Sequence, residues 1–116
     1  MGSTDTIAAV ATAVAAGQGG IAVIRLSGPA AEATARAVVR CPGDQTWASH
    51  RILYGHVIDH TGEKRIDEVL LLLMRAPRSF TGEDVVEIHC HGGVIAVQQV
   101  LERVLAESGV RRALPG

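Results

Sequence analysis

Four consecutive leucines, Leu70–Leu73, lie within an apolar segment that runs from Ile66 to Met74. A short, continuous apolar run of this kind is typical of a β-strand that is buried on both faces of a sheet. The preceding segment, Arg51–Asp59, alternates apolar and polar residues, and His60–Glu63 has the composition of a turn. Together these segments predict a β-hairpin whose returning strand lies inside a covered sheet.

Other short segments rich in Val, Ile and Ala extend this sheet. We predict further strands over Asp5–Thr12, Ile21–Leu26, Val85–His89 and Val110–Leu114. The length of 116 residues is that of one domain, so residues 1–116 are expected to form a single domain.

Two segments between the strands have helical signals. The first helix is predicted to begin near Pro29, which suits the first helical position, and to run to about Arg40. The second follows Gly92–Gly93 and places its apolar residues on one stripe, with Gly109 as its C-terminal cap. The order of elements predicts an α+β fold, an α/β sandwich with a mixed sheet of about five to six strands and two helices.

The composition excludes several classes of protein. With 11 basic and 12 acidic residues and only 3% aromatic residues, the chain lacks the cationic face and the stacking rings of typical nucleic-acid-binding domains. The phosphate-binding motif G-x-x-x-x-G-K-[ST] is absent, and no apolar segment is long enough to span a membrane. Cys41 and Cys90 set no disulfide framework and indicate reduced thiols in the cytoplasm.

Two charged residues interrupt otherwise apolar strands. By alternation, Arg25 shares a face with Ile21 and Val23, and Glu87 shares a face with Val85 and His89. Buried charges are costly unless they are paired or bound to a ligand. In one interpretation, each charge lies on a solvated face or the two pair with each other. In the other, they form a polar pocket in an apolar sheet that is ready for a small molecule with hydrogen-bonding edges.

The segment around His89 and His91 allows two further interpretations. The two imidazoles share a strand face, and with His56 and His60 they are candidate zinc ligands, although no cluster with recognised zinc spacing is present. Gly92–Gly93 either exposes backbone N–H groups that receive a ligand oxygen at a helix N-terminus or forms a tight strand-to-helix turn.

Four separate segments resemble one known family in order and spacing: Asp5–Ala9, Gly19–Gly28, Ala76–Glu87 and His91–Gly93. The family is the N-terminal domain of the tRNA modification GTPases called MnmE or TrmE, and the resemblance extends from residue 5 to the end of the chain. It implies a fold related to the folate domain of the glycine cleavage T-protein.

The resemblance also implies a ligand. Domains of this family bind a reduced folate, such as 5-formyltetrahydrofolate, and form a homodimer. The folate-binding arginine of the family falls on Arg25 and its folate-binding glutamate on Glu87. A catalytic residue or a metal ligand is not implied. This sequence departs from the family at Gln18, where arginine is frequent, and at His89–Cys90, where many members have Gln-Gly.

For the whole protein, the resemblance implies modification of the wobble uridine of certain tRNAs, in the cytoplasm and with the flavoprotein MnmG (GidA). GTP, Mg²⁺ and K⁺ bind in a GTPase domain whose motifs this chain lacks, and a third folate contact of the family, a lysine, falls just beyond Gly116. We therefore expect a fragment or truncated gene product that neither hydrolyses GTP nor modifies tRNA unaided.

Three functions stay open at this point. The chain is either a folate-binding and dimerisation module or an assembly domain alone, in which the folate pocket is incomplete without the lysine. The third alternative, a metal-dependent enzyme built on His89 and His91, has less support because a converging ligand set is not evident from the spacing.

Overall fold

A computed structural model describes residues 5–11, 22–79 and 81–113 of the chain, and over these residues it contains seven strands and two helices. The strands are β1 (Thr6–Val10), β2 (Ala22–Ser27), β3 (Val39–Arg40), β4 (Arg51–Ile58), β5 (Arg65–Met74), β6 (Val85–Cys90) and β7 (Val110–Arg112). The helices are α1 (Ala31–Val38) and α2 (Gly93–Leu105).

All seven strands form one sheet in the order β3-β4-β5-β6-β2-β1-β7. Every neighbouring pair is antiparallel except β1 and β7, which are parallel. The predicted α+β class with two helices and a mixed sheet is therefore confirmed, but the sheet has seven strands where about five to six were predicted. The ends of the predicted strands at Thr12, Ile21 and Leu114 lie outside the described residues.

The strand that sequence reasoning missed is β3. We predicted a helix as far as Arg40, but α1 ends at Val38 and the next two residues are extended. Val39 pairs with Val57 of β4, and Arg40 pairs with His56. Val39 and Arg40 form hydrogen bonds with the edge of β4 instead of continuing the helix. Helix propensity is a local property, so it does not predict this pairing with a distant strand.

The predicted hairpin of β4 and β5 is confirmed, and a carboxylate orders its turn. Asp59 Oδ1 accepts hydrogen bonds from the Thr61 hydroxyl at 2.6 Å and from the backbone N–H groups of Thr61, Glu63 and Lys64. These bonds favour the ionised form and lower the pKa of Asp59 to about 2. The contribution of this turn to stability is thus present above the ordinary pKa of aspartate and is lost as the pH falls towards 2.

One face of the sheet carries both helices and the aliphatic core. The core is built from side chains that are at most a few per cent exposed, among them Ile24, Leu26, Leu53, Val69, Leu71, Leu73, Val86 and Ile88 of the sheet and Val38, Val100 and Val104 of the helices. We call the opposite side of the sheet the helix-free face. By strand alternation it carries Arg25, Glu87, Leu70, Leu72 and Ile52.

The helix-free face corrects one prediction. The leucine run was expected to be buried on both faces, but only Leu71 and Leu73 are fully buried. Leu70 is 37% exposed, Leu72 is half-buried, and Ile52 on the neighbouring strand is 66% exposed. Both helices lie on the other side, so they leave the central part of this apolar surface exposed.

The connection from β2 to α1 is held against β1. The backbone N–H of Ala30 donates to Thr6 Oγ1 at 2.7 Å, so a threonine on β1 caps the N-terminus of the helix. Gly28 has φ of +136° and lies so close to β1 that an added Cβ would be 2.5 Å from Asp5 O. The helix consequently begins at Ala31, two residues after the predicted start at Pro29.

The end of α2 also differs from the prediction. The C-cap is Ala106, whose N–H bonds to Glu102 O, and Gly109 is not the cap. Gly109 has φ of +85° and lies in the turn that precedes β7. Its left-handed conformation reverses the chain so that β7 can run parallel to β1.

Candidate functional site

Arg25 and Glu87 meet directly across the β2–β6 pair. They are cross-strand partners, and Arg25 Nε and Nη2 donate to Glu87 Oε2 at 3.0 and 2.6 Å. Glu87 is 7% exposed, whereas the side chain of Arg25 is 38% exposed. Of the interpretations left open, the structure shows a charge pair, with the carboxylate as the buried partner.

A histidine extends this pair. His89 Nε2 lies 3.3 Å from Glu87 Oε1, whereas the two bonds from Arg25 given above go to Oε2. Both lone pairs of Oε2 are used by Arg25, but Oε1 retains capacity for a further donor. Arg25, Glu87 and His89 therefore form one polar cluster on the helix-free face.

Apolar residues flank the cluster along a row that crosses the sheet. Glu87 is the partner of Leu72 on β5, and Leu72 is the partner of Ile52 on β4. On the other side, Arg25 is the partner of Ala9 on β1. Across the strands the pair is thus flanked by side chains that cannot hydrogen-bond, as in sites that bind small molecules with a few polar groups.

The loop between β5 and β6 closes one end of the site. Ser27, which follows Arg25 by two positions on the same face, has its hydroxyl 2.9 Å from Thr81 Oγ1. Asp84 Oδ1 accepts from the N–H of Ala76 at 2.8 Å, and Asp84 O accepts from the N–H of Gly28. These bonds hold the loop at the Ser27 end of β2.

The same-face relations predicted from alternation are confirmed where they can be checked. Val23 lies on the face of Arg25, and Val85 and His89 lie on the face of Glu87. Ile21, the other predicted neighbour of Arg25, lies outside the described residues. Alternation did not reveal that β6 is inserted between β5 and β2, which is what brings the two charges together.

The four histidines considered as zinc ligands do not converge. His89 contacts the carboxylate of the cluster, whereas His91 Nδ1 lies 3.0 Å from the carbonyl oxygen of Glu68. His56 is on β4, and His60 is in the turn that follows it. Within residues 5–11, 22–79 and 81–113, no group of three or more His, Cys, Asp or Glu side chains is arranged to hold a metal ion.

The backbone N–H groups before α2 are already occupied. Asp67 Oδ2 accepts from the N–H of His91 at 2.8 Å and from that of Gly92 at 3.2 Å. An added Cβ on Gly92 would lie 2.5 Å from Ala96 Cβ. Of the two interpretations of the glycine pair, the structure shows the tight turn at Gly92, where Asp67 accepts from the N–H groups of His91 and Gly92.

We expect Asp67→Ala to lower the free energy of unfolding by about 1–2 kcal/mol, because two N–H groups at a helix N-terminus lose their acceptor. Asp67→Asn keeps an oxygen and should lose less than half of that amount. Urea denaturation of the two variants measures the difference. Equal stability of wild type and Asp67→Ala would show that water replaces the carboxylate without cost.

The two cysteines are free thiols in the structure. Cys90 is fully buried, and burial raises the pKa of its thiol to about 12. Cys41 is half-buried and its pKa is also raised by burial.

We expect iodoacetamide at pH 8 to leave Cys90 unmodified in the native chain and to alkylate it in urea, as peptide mass analysis would show. Rapid native alkylation of Cys90 would contradict its burial.

Sequence reasoning missed a second polar cluster on the helix-free face. Tyr54 Oη donates to Glu68 Oε2 at 2.5 Å and lies 3.5 Å from His56 Nε2. The alternation of Tyr54 and His56 on β4 was visible in the sequence. The partner Glu68 depends on the register that the hairpin turn sets, and His56 pairs with Glu68 in that register.

Neither helix in the described part of the chain has the length and apolar character needed to cross a lipid bilayer.

Residues 6–116 match the sequence profile of the family described as "GTP-binding protein TrmE N-terminus". The chain is 81% identical over its whole length to the tRNA modification GTPase MnmE of Synechococcus sp. strain CC9605, of which it covers 26%. It is 82% identical over 97% of its length to the protein of the same name from Synechococcus sp. strain CC9902, of which it covers 25%. The corresponding protein of Prochlorococcus marinus strain MIT 9303 is 77% identical over 97% of the chain and is covered to 24%.

The chain thus spans about a quarter of the length of the curated relatives that it matches. The matched region includes all the strands and both helices, together with Arg25 and Glu87. The family match extends over nearly the entire sequence, and this chain belongs to the TrmE N-terminal domain family.

Proposed function

We propose that the chain binds a reduced folate of the 5-formyltetrahydrofolate type at the cluster of Arg25, Glu87 and His89. The observation that carries this proposal is a nearly buried carboxylate paired with a half-exposed guanidinium on an apolar sheet face. The pterin ring of a folate presents amino and ring N–H donors along one edge, and a carboxylate is the acceptor that matches two adjacent donors.

The geometry of the pair indicates how the ligand would enter. Glu87 Oε2 accepts twice from Arg25, so two-point recognition of a pterin by Glu87 requires Arg25 to leave that oxygen. Arg25 is the exposed member and has a long side chain, so it is the group that can move. In the proposed complex Arg25 turns towards an oxo, formyl or carboxylate oxygen of the ligand, and the ligand donors replace it on Glu87.

Within the whole protein, we propose that this domain presents the one-carbon donor for modification of the wobble uridine of tRNA. The relatives carry tRNA modification and GTPase activity in their names. The proposal includes the flavoprotein MnmG as partner, the cytoplasm as location, and GTP, Mg²⁺ and K⁺ as ligands of other parts of the full-length protein. The relation to the folate domain of the glycine cleavage T-protein likewise remains a prediction.

Calorimetric titration of the 116-residue chain with 5-formyltetrahydrofolate tests the proposal. We expect saturable binding with one ligand per chain and a rise in melting temperature at ligand concentrations well above the dissociation constant. The Glu87→Gln variant is the control, because binding that does not depend on the carboxylate should persist in it. A cooperatively folded chain that shows no heat of binding would contradict the proposal.

The second candidate function is homodimerisation through the helix-free face. Three large side chains on this face are substantially exposed: Ile52 at 66%, Tyr54 at 38% and Leu70 at 37%. They lie on two adjacent strands, and Tyr54 and Leu70 are cross-strand partners. A continuous apolar surface on a sheet face is typical of a protein interface.

Light scattering of the Ile52→Glu variant tests dimerisation. Ile95 on α2 is 71% exposed and lies on the helical side of the molecule, so Ile95→Glu introduces the same charge as a matched control. We expect wild type and Ile95→Glu to have the mass of a dimer and Ile52→Glu that of a monomer. If the chain dimerises but does not bind folate, assembly alone is its function; a monomeric wild type would contradict this second candidate.

A further inference from the structure

A small cavity lies at the β3–β4–β5 end of the helix-free face. It has a volume of about 140 Å³ and is lined by Arg40, Pro42, His56, Ile58 and Arg65. The sheet register explains why these residues meet. Arg40 is the cross-strand partner of His56, and Ile58 is the cross-strand partner of Arg65, so the four side chains project from the same face.

The lining of the cavity is cationic. It contains two guanidinium groups and one imidazole, and none of its five residues is acidic. Arg40 uses Nη1 to donate to the carbonyl oxygen of Gly62 at 3.2 Å. Among the residues that the structure describes, the Arg65 guanidinium forms neither a hydrogen bond nor an ion pair. Donors in a fork geometry are therefore available to an anion that enters the cavity.

An acidic residue, Glu68, lies beside the cavity as the cross-strand partner of His56. Its Oε2 accepts from Tyr54 Oη at 2.5 Å and lies 3.9 Å from His56 Nε2. Glu68 orients the imidazole without entering the lining of the cavity. Two arginines against one tyrosine-bound carboxylate leave a local excess of positive charge.

The cavity and the Arg25–Glu87 cluster lie on one continuous face. The cavity lies two to three strands away from Glu87, which is about 10–14 Å across the sheet. It is also displaced by four residues along β4, which is about 13 Å. The straight-line distance is therefore roughly 16–19 Å. Between them lies a second, apolar depression of about 70 Å³ lined by Ile52, Leu70, Leu71, Leu72 and His89. A polar cluster, an apolar depression, the Tyr54–Glu68 pair and a cationic cavity thus follow one another along the face.

We propose that Arg40, His56 and Arg65 form an anion pocket that binds the carboxylates of the glutamate tail of the ligand. This rests on the proposed folate function, in which the pterin lies at Glu87. A folate consists of a pterin, a flat aminobenzoyl ring and a carboxylate-bearing glutamate joined in line, which is the order of features on this face. Each γ-linked glutamate that is added extends the tail and adds one carboxylate, so the pocket selects polyglutamylated ligands.

The test compares three ligands by calorimetric titration: a tetrahydropterin without a tail, 5-formyltetrahydrofolate with one glutamate, and the same folate with three γ-linked glutamates. We expect the triglutamate to bind about fivefold or more tightly than the monoglutamate. Arg65→Gln should remove most of this gain. Arg112→Gln on β7 makes the same charge change away from the cavity and should retain it.

The outcomes separate the two proposals. Equal affinity of the monoglutamate and the triglutamate, or a gain that persists in Arg65→Gln, overturns the anion pocket while leaving the folate site in place. Binding of none of the three ligands overturns the folate function and the tail pocket together. Inorganic phosphate should compete with the triglutamate but not with the tail-less pterin, and competition with both would also overturn the assignment of the pocket to the tail. Equal melting temperatures of the two arginine variants control for unfolding.

Discussion

Glu87→Gln is expected to weaken the binding of 5-formyltetrahydrofolate by about 10- to 100-fold. The substitution keeps the size of the side chain but replaces one acceptor oxygen with a donor and removes the charge. A hydrogen bond to a charged group contributes about 1.5–3 kcal/mol, which corresponds to this range of affinity. Calorimetric titration against wild type measures the loss directly.

The effect of Glu87→Gln on folding should be smaller. Breaking a fully buried ion pair costs about 3–5 kcal/mol, but Arg25 is 38% exposed and is stabilised by water when its partner is neutral. We expect a loss of about 1 kcal/mol in urea denaturation. Glu102→Gln, an exposed carboxylate on α2, makes the same chemical change outside the site and should alter neither quantity. If Glu87→Gln or Glu87→Ala unfolds the chain while the remaining folded fraction keeps its affinity, Glu87 serves only to pair with Arg25.

Gly28→Ala is expected to reduce the free energy of unfolding by about 4 kcal/mol, combining backbone strain with overpacking. The φ of +136° is a conformation that only glycine adopts readily, and the added Cβ would lie 2.5 Å from Asp5 O and 2.7 Å from Thr6 Cα. Backbone atoms of a paired strand cannot move away cheaply. The change should also weaken the cap that Thr6 provides for α1.

The matched control for this prediction is Gly82→Ala. Gly82 has φ of +80°, but no atom of the residues that the structure describes lies within 4 Å of the position of its Cβ, so the strain of the left-handed conformation is the expected cost. We expect it to lose about 1 kcal/mol. Thermal denaturation should therefore order the melting temperatures as wild type, Gly82→Ala and Gly28→Ala. Similar melting temperatures for the two variants would show that β1 yields to the methyl group.

Local sequence patterns predicted most of the strands and helices and the strand faces on which Arg25 and Glu87 lie. Alternation in Ala22–Ser27 and Val85–Cys90 fixed which residues accompany Arg25 and Glu87 on a face, because side chains on a strand alternate strictly. The apolar stripe after Gly92 identified α2 for a similar reason, since helical packing requires the 3.6-residue period. The motifs around these residues also identified the family that the comparison later confirmed.

The order of the strands in the sheet and the partners of the polar side chains are visible in the folded structure alone. The insertion of β6 between β5 and β2 places Arg25 opposite Glu87, although 62 positions separate them in the chain. It also brings Asp67 to the N–H groups of His91 and Gly92, and it leaves Leu70 on an uncovered face. A local sequence pattern predicts which face of a strand a residue occupies. The order of the strands depends on the long-range packing of whole elements, which no short segment of sequence encodes.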